Sequence, residues 1–240
     1  MKVRNSDWNR FIQRLSKLNN AASDAMQKYI DQHGLDDVDA LIDYASALSR
    51  KYGEAGATLS CLMYDAVAEA QRAAVAAAVP AAVASPSEVR DMVYAVLQES
   101  PSTLAASTGR YVRQAAADTM LQNARRDHAE QAFVPFGETC AYCIALGSRG
   151  WEPTSSKNTD HAAHIHPNCD CMYMVRFTAD SGVAGYNPER YKKIYYSAAP
   201  DGNSYDKINA LRRGQYAENK DKINEQKRKA YAARTEAEDE

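Results

Sequence analysis

The 240-residue sequence has no surplus of one charge: 29 Lys and Arg stand against 31 Asp and Glu, a formal net charge of −2. That balance excludes a global basic field directed at nucleic acid or at an anionic membrane surface. Long hydrophobic runs are missing too. The longest apolar stretch, Ala73 to Ala84, is nearly all Ala and Val, too short and too weakly hydrophobic to cross a bilayer. The opening residues, Met1-Lys2-Val3-Arg4-Asn5-Ser6-Asp7-Trp8, turn polar where a signal peptide needs an apolar core. There is no Ser/His/Asp arrangement that supports hydrolysis, no βαβ pattern and no internal repeat. The expectation is a non-enzymatic protein made in a reducing cytosol, with enough chain for one large core or two small ones.

What is there is a cluster of sulfur and nitrogen donors. Four of the five cysteines fall in two short runs, Cys140-Ala141-Tyr142-Cys143 and His166-Pro167-Asn168-Cys169-Asp170-Cys171. Two close pairs separated by a loop are how a chain builds a tetrahedral zinc cage, each pair supplying half of it. Cys140 and Cys143 have the spacing at which two thiolates on a tight turn reach one ion. His166 and Cys169 have the same separation, with Pro167 to fix the turn. Cys171 lies two residues past Cys169, on the same side of an extended chain, so either can be the fourth ligand. The first set is therefore Cys140, Cys143, His166 and Cys169, with Cys171 as its alternate; His161 and His164 are weaker loop candidates. The bland alternative is buried thiols or a disulfide without metal, which a cytosolic chain with this spacing disfavours. A structural Zn2+ is expected rather than a catalytic one, because Asp170 is flanked by two candidate ligands and serves the turn better than it would serve as a base.

The rest reads as mainly α. Phe11, Leu15 and Leu18 share a face after Asp7, which can cap a first helix; Asn19 and Asn20 weaken or interrupt it before Met26, Tyr29 and Ile30, and His33-Gly34 ends the stretch. Residues 36–52 form a helix that stops at Gly53. A further helix is expected over 58–79, rich in Ala, Leu and Met and stopped by Pro80. Helices follow from Ser87 to about Gln98 and from Ser102 to near His128. The period then changes: residues 132–136 look extended, 143–146 form a short helical turn, and 171–177 have strand composition. Trp8 and Trp151 are packing residues, and Cys61 is a small buried hydrophobe. The fold class is thus a helical body (1–130), a small zinc-stapled α+β module (131–180), and a Tyr-rich segment with a charged helical tail (181–240).

The run from Val134 through Cys140, Cys143 and Leu146 to Gly150, followed by His166, Cys169 and Cys171, resembles the phage Mu F-like (MuF) minor head proteins of tailed bacteriophages. Members have a Val-Pro-x-Gly start, Cys-x-x-Cys, a Leu-Ala-Ser-Arg-Gly-like turn and a His-x-x-Cys-x-Cys end. Here Gly147 stands in the place of the Ala, and the likeness covers Val134 to Phe177. The resemblance implies a virion structural protein inside the head near the portal, in a few copies, assembled in the bacterial host's cytoplasm. Its implied partners are the portal protein and the major capsid or scaffold protein.

The tail from Tyr205 to Glu240 alternates Lys/Arg with Asp/Glu and reads as a solvated helix. Ile208, Leu211, Tyr216 and Ile223 could instead dock it on a neighbour. Contact of Arg212, Arg213, Lys227, Arg228 and Lys229 with packaged DNA is a further option that the interspersed acids weaken. The tyrosines from Tyr186 to Tyr205 suit packing better than base stacking. A second functional reading, from His164 and His166 beside the cysteines, is a stand-alone zinc module that binds or cleaves nucleic acid in HNH fashion. It requires a His to activate water and a separately held divalent ion, while the cage already claims His166.

Overall fold

The computed structural model describes residues 2–137, 139–155 and 171–238. It divides into two compact units, one of residues 1–137 and 150–186 and the other of 138–149 and 187–240.

In the first unit, α1 (Asn5–His33) runs without interruption through Asn19, which is buried, and Asn20. Its N-cap is Arg4, not Asp7; Asp7 sits in the first turn and accepts from Arg4 Nε at 2.8 Å. Gly34, at φ +76°, ends it and donates to Ile30 O, the left-handed exit that favours glycine. Asp37 caps α2 by accepting from Ala40 N–H.

Helix α2 (Val38–Gln71) corrects the two separate helices expected over 36–52 and 58–79. Gly53 lies inside it because other chain comes close: a Cβ at Gly53 would stand 3.0 Å from Val83 Cγ1. At Gly56 a Cβ would stand 2.7 Å from the main-chain oxygen of Val112. These glycines serve contact rather than helix termination.

The other end of α2 is also corrected. The helix stops at Gln71, where Arg72 takes a left-handed conformation and Ala73 N–H closes on Ala68 O at 2.9 Å. Residues 73–85 form a non-helical strap despite their high alanine content. Side chains from the flanking helices bind the strap's main chain: Asp65 accepts from Ala78 N–H, Thr119 from Ala81 N–H, and Arg126 donates to the carbonyls of Ala76 and Ala77. Tertiary hydrogen bonds here outweigh intrinsic propensity, which amounts to only tenths of a kcal/mol per residue.

Helix α3 (Pro86–Glu99) opens with a full capping box, Ser85 and Glu88 each accepting the other's main-chain N–H. A 3-10 turn at Pro101–Thr103 leads into α4 (Leu104–Arg126). Met26, Leu41, Leu48, Val89, Val93 and Leu104 join α1 to α4 in one core cluster. Farther along α4, the fully buried Arg113 donates to Ser16 Oγ at 2.9 Å.

The strands are short. β1 (Lys2–Val3) pairs in parallel with β5 (Gly182–Val183), and an antiparallel sheet orders β3 (Glu152–Pro153), β2 (Glu130–Val134) and β4 (Met172–Arg176). Phe133 opposes Tyr173 with an edge-on ring contact, and Glu130 pairs with Arg176 at 2.5 Å. β4 is buried nearly throughout and packs on α4 and α2.

In the second unit, α5 (Ala141–Gly147), α6 (Pro188–Ala198) and α7 (Ser204–Glu238) pack on one another. Asn187 caps α6 through Glu189 and Arg190 N–H, and Asn203 accepts from Tyr205 and Asp206 N–H at the start of α7. The chain is mainly α, as expected. Among the described residues no helix is long and apolar enough to cross a membrane.

Candidate metal centre

Within the second unit, Cys140 is the N-cap of α5: its extended backbone lets Sγ accept from Cys143 N–H at 3.4 Å. Sulfur thus occupies the position that a Ser or Asp oxygen usually takes. Cys143 is buried on the first turn and Cys140 half-buried. The main chain on both sides of Cys140 is gripped by one side chain of α7. Gln215 Nε2 donates to Thr139 O at 2.8 Å, and its Oε1 accepts from Ala141 N–H at 3.1 Å. Sequence reasoning missed Gln215, since nothing in a charged helix marks one glutamine as the partner of a distant turn.

Within the first unit, Cys171 is buried just before β4. Its Sγ accepts from Phe136 N–H at 3.3 Å and donates to Phe136 O at 3.9 Å. Phe136 belongs to the Val-Pro-Phe-Gly run that opens the sequence motif, so that run serves the sulfur through its main chain.

His166 and Cys169 lie outside the described residues, as do His161, His164 and Asp170. Among the described residues, no three His, Cys, Asp or Glu side chains gather as a metal cluster. The fit to a metal therefore rests on the chemistry of the described donors. Cys140 and Cys171 each accept a main-chain N–H, so their side chains are oriented by the backbone around them. Donors of this kind suit Zn2+. Cys61 differs: on α2, burial first and the nearby Asp65 second push its thiol up, toward the inert neutral form.

The family model described as VG15 protein matches residues 2–198. The chain belongs to the VG15 protein family. No curated protein and no solved structure matches it. The family is a viral one, which points to a phage or viral protein. The matched span takes in every described donor, α5 and α6, and it stops before α7 begins at Ser204. Gln215 therefore lies beyond the part that the family model covers.

Proposed function

We propose that this protein is a structural component of the virion: a minor head protein of the MuF-like kind, located inside the head near the portal. It works by binding the portal and the capsid or scaffold protein, and it catalyses nothing. The observation that carries this reading is the two-part donor motif, Cys140 and Cys143 with His166, Cys169 and Cys171, in a chain whose family is viral. The held sulfurs support it, because both halves of the motif contain a cysteine fastened by main-chain N–H.

In this reading Cys140, Cys143, His166 and Cys169 hold Zn2+, with Cys171 as the alternate fourth ligand. When bound, the ion supplies fold stability alone, on the order of 10 kcal/mol of apparent binding free energy. The chain's own contribution is positional: the α5 cap sets Cys140 against Cys143, and Phe136 sets Cys171.

The test is co-expression with the portal, scaffold and capsid proteins of the same phage, followed by sedimentation of the assembled procapsids. The protein is expected to travel with procapsids that contain portal and to be lost from those assembled without it. A chain that never leaves the top of the gradient sinks the proposal. Metal-dependent cleavage of DNA that is lost in His164→Ala would replace it with the nuclease reading.

A further inference from the structure

The groove between the first half of α1 and the middle of α2 has no part in the metal reading. It is open to solvent, with a larger section of about 540 Å³ and a smaller continuation of about 240 Å³ that share Arg14, Leu59 and Leu62. The floor is apolar, with Leu18 at one end and Phe11 toward the other. At its centre Leu62 is 62% exposed. Leu62 lines the trough together with Leu18, Ala55 and Leu59, a contiguous apolar patch rather than one scattered side chain, and such patches mark contact surfaces. One wall is basic, because Arg10, Arg14 and Lys17 follow the i, i+4, i+7 spacing of a single helix face. The acid among the lining residues is Asp7, at one end, and Arg4 already binds its carboxylate at 2.8 Å.

Length and chemistry together specify the occupant. From Ala55 to Ala66 the α2 wall spans about 16 Å at 1.5 Å per residue, three turns of helix. A trough of this length between two helices matches the apolar stripe of a third, anchored at i, i+3 or i+4, and i+7. A basic wall calls for acids beside that stripe. We propose that this groove seats an amphipathic helix of a partner protein, its apolar face on Leu59 and Leu62 and its acidic flank against Arg10, Arg14 and Lys17. The proposal stands apart from the head-protein reading and does not depend on zinc.

Fluorescence anisotropy on the full chain tests it with two labelled synthetic helical peptides. Both carry leucines at i, i+4 and i+7; one has glutamates along a flank, and its twin has lysines there. The glutamate peptide is expected to bind about tenfold more tightly than its twin, the sum of a few exposed charge pairs. The triple variant Arg10→Glu, Arg14→Glu, Lys17→Glu is expected to reverse that order, and Leu62→Asp to weaken both peptides. Circular dichroism of each variant confirms that the fold is kept. Failure of the glutamate peptide to bind overturns the proposal, as does a preference that survives the charge reversal. Concentration-dependent dimerisation abolished by Leu62→Asp would assign the groove to a second copy and overturn it too. So would an oligonucleotide that binds Arg10, Arg14 and Lys17 where the peptide does not.

Discussion

Asn123 holds Val79 by both of its main-chain groups: Oδ1 accepts from Val79 N–H at 2.9 Å, and Nδ2 donates to Val79 O at 2.8 Å. One side chain on α4 thus does for the strap what a neighbouring strand does for a residue in a sheet. The same Nδ2 also reaches Thr119 O at 2.7 Å, so this amide joins helix and strap in one network.

Asn123→Ala is therefore expected to cost about 2 kcal/mol, two net hydrogen bonds at roughly 1 kcal/mol each. Urea unfolding measures the loss. Hydrogen exchange localises it, with faster exchange at Ala78, Val79 and Ala81 while α1 keeps its protection. Unchanged exchange at those amides would show that the strap does not depend on Asn123.

Gly56→Ala places a Cβ where the Val112 oxygen stands 2.7 Å away. The Cβ is fixed rigidly to the α2 backbone and the oxygen belongs to the α4 backbone, so α2 and α4 must separate. A loss of about 1–3 kcal/mol follows, the range of a small overpacking. Thermal unfolding at matched concentration checks it, and an equally stable variant would contradict the close approach of the two helices.

Asp118 on α4 gives a pH dependence. Burial chiefly, and the charge of Glu88 secondarily, push its carboxyl up from 3.8 to about 6. The folded chain then binds this proton more tightly than the unfolded chain does, so stability falls as pH rises from about 4 to about 6. Asp118→Asn removes that dependence. The variant's urea midpoint, compared with that of the natural chain, is expected to gain across this window. A difference that stays constant with pH would contradict it.

At Cys140 two roles can be separated by one atom. Cys140→Ser keeps a cap acceptor for Cys143 N–H but, on the proposed zinc reading, replaces a strong donor with a weak one. It is expected to lose bound zinc, measured by atomic emission, and to gain protease sensitivity over residues 137–171. Gln215→Ala keeps every sulfur but releases Thr139 and Ala141, and it is expected to weaken zinc by about tenfold or more. Full zinc occupancy in Cys140→Ser would remove that cysteine from the donor set.

The parts that sequence reasoning reached are those whose instructions are local. The helix expected from Ser87 begins one residue earlier, at Pro86, because Ser85 and Glu88, three positions apart, box its start. Cys140 and Cys143 likewise set a turn that shares its residues with its chemistry. The strap's first part, residues 73–79, was illegible because its determinants, Asn123 and Arg126, sit on another helix and oppose the alanines' own preference. Gly53 misled for the same reason: a glycine that makes room for Val83 reads like one that ends a helix. At the candidate centre the cysteines were legible as a pattern. Their fastening by Phe136 and Gln215 was not, since a main-chain N–H carries no letter and one amide in a long polar helix carries no emphasis.

The pairing of Lys2–Val3 with Gly182–Val183 bears on the order of events during synthesis. Val3 and Val183 are both buried in the completed unit, yet the second must leave the ribosome long after the first. The four-helix body can assemble as it emerges, but its first strand waits for a partner at the far end. The last seam of the first unit thus closes only when nearly all of that unit has been made, and a tag fused ahead of Lys2 would sit beside that seam.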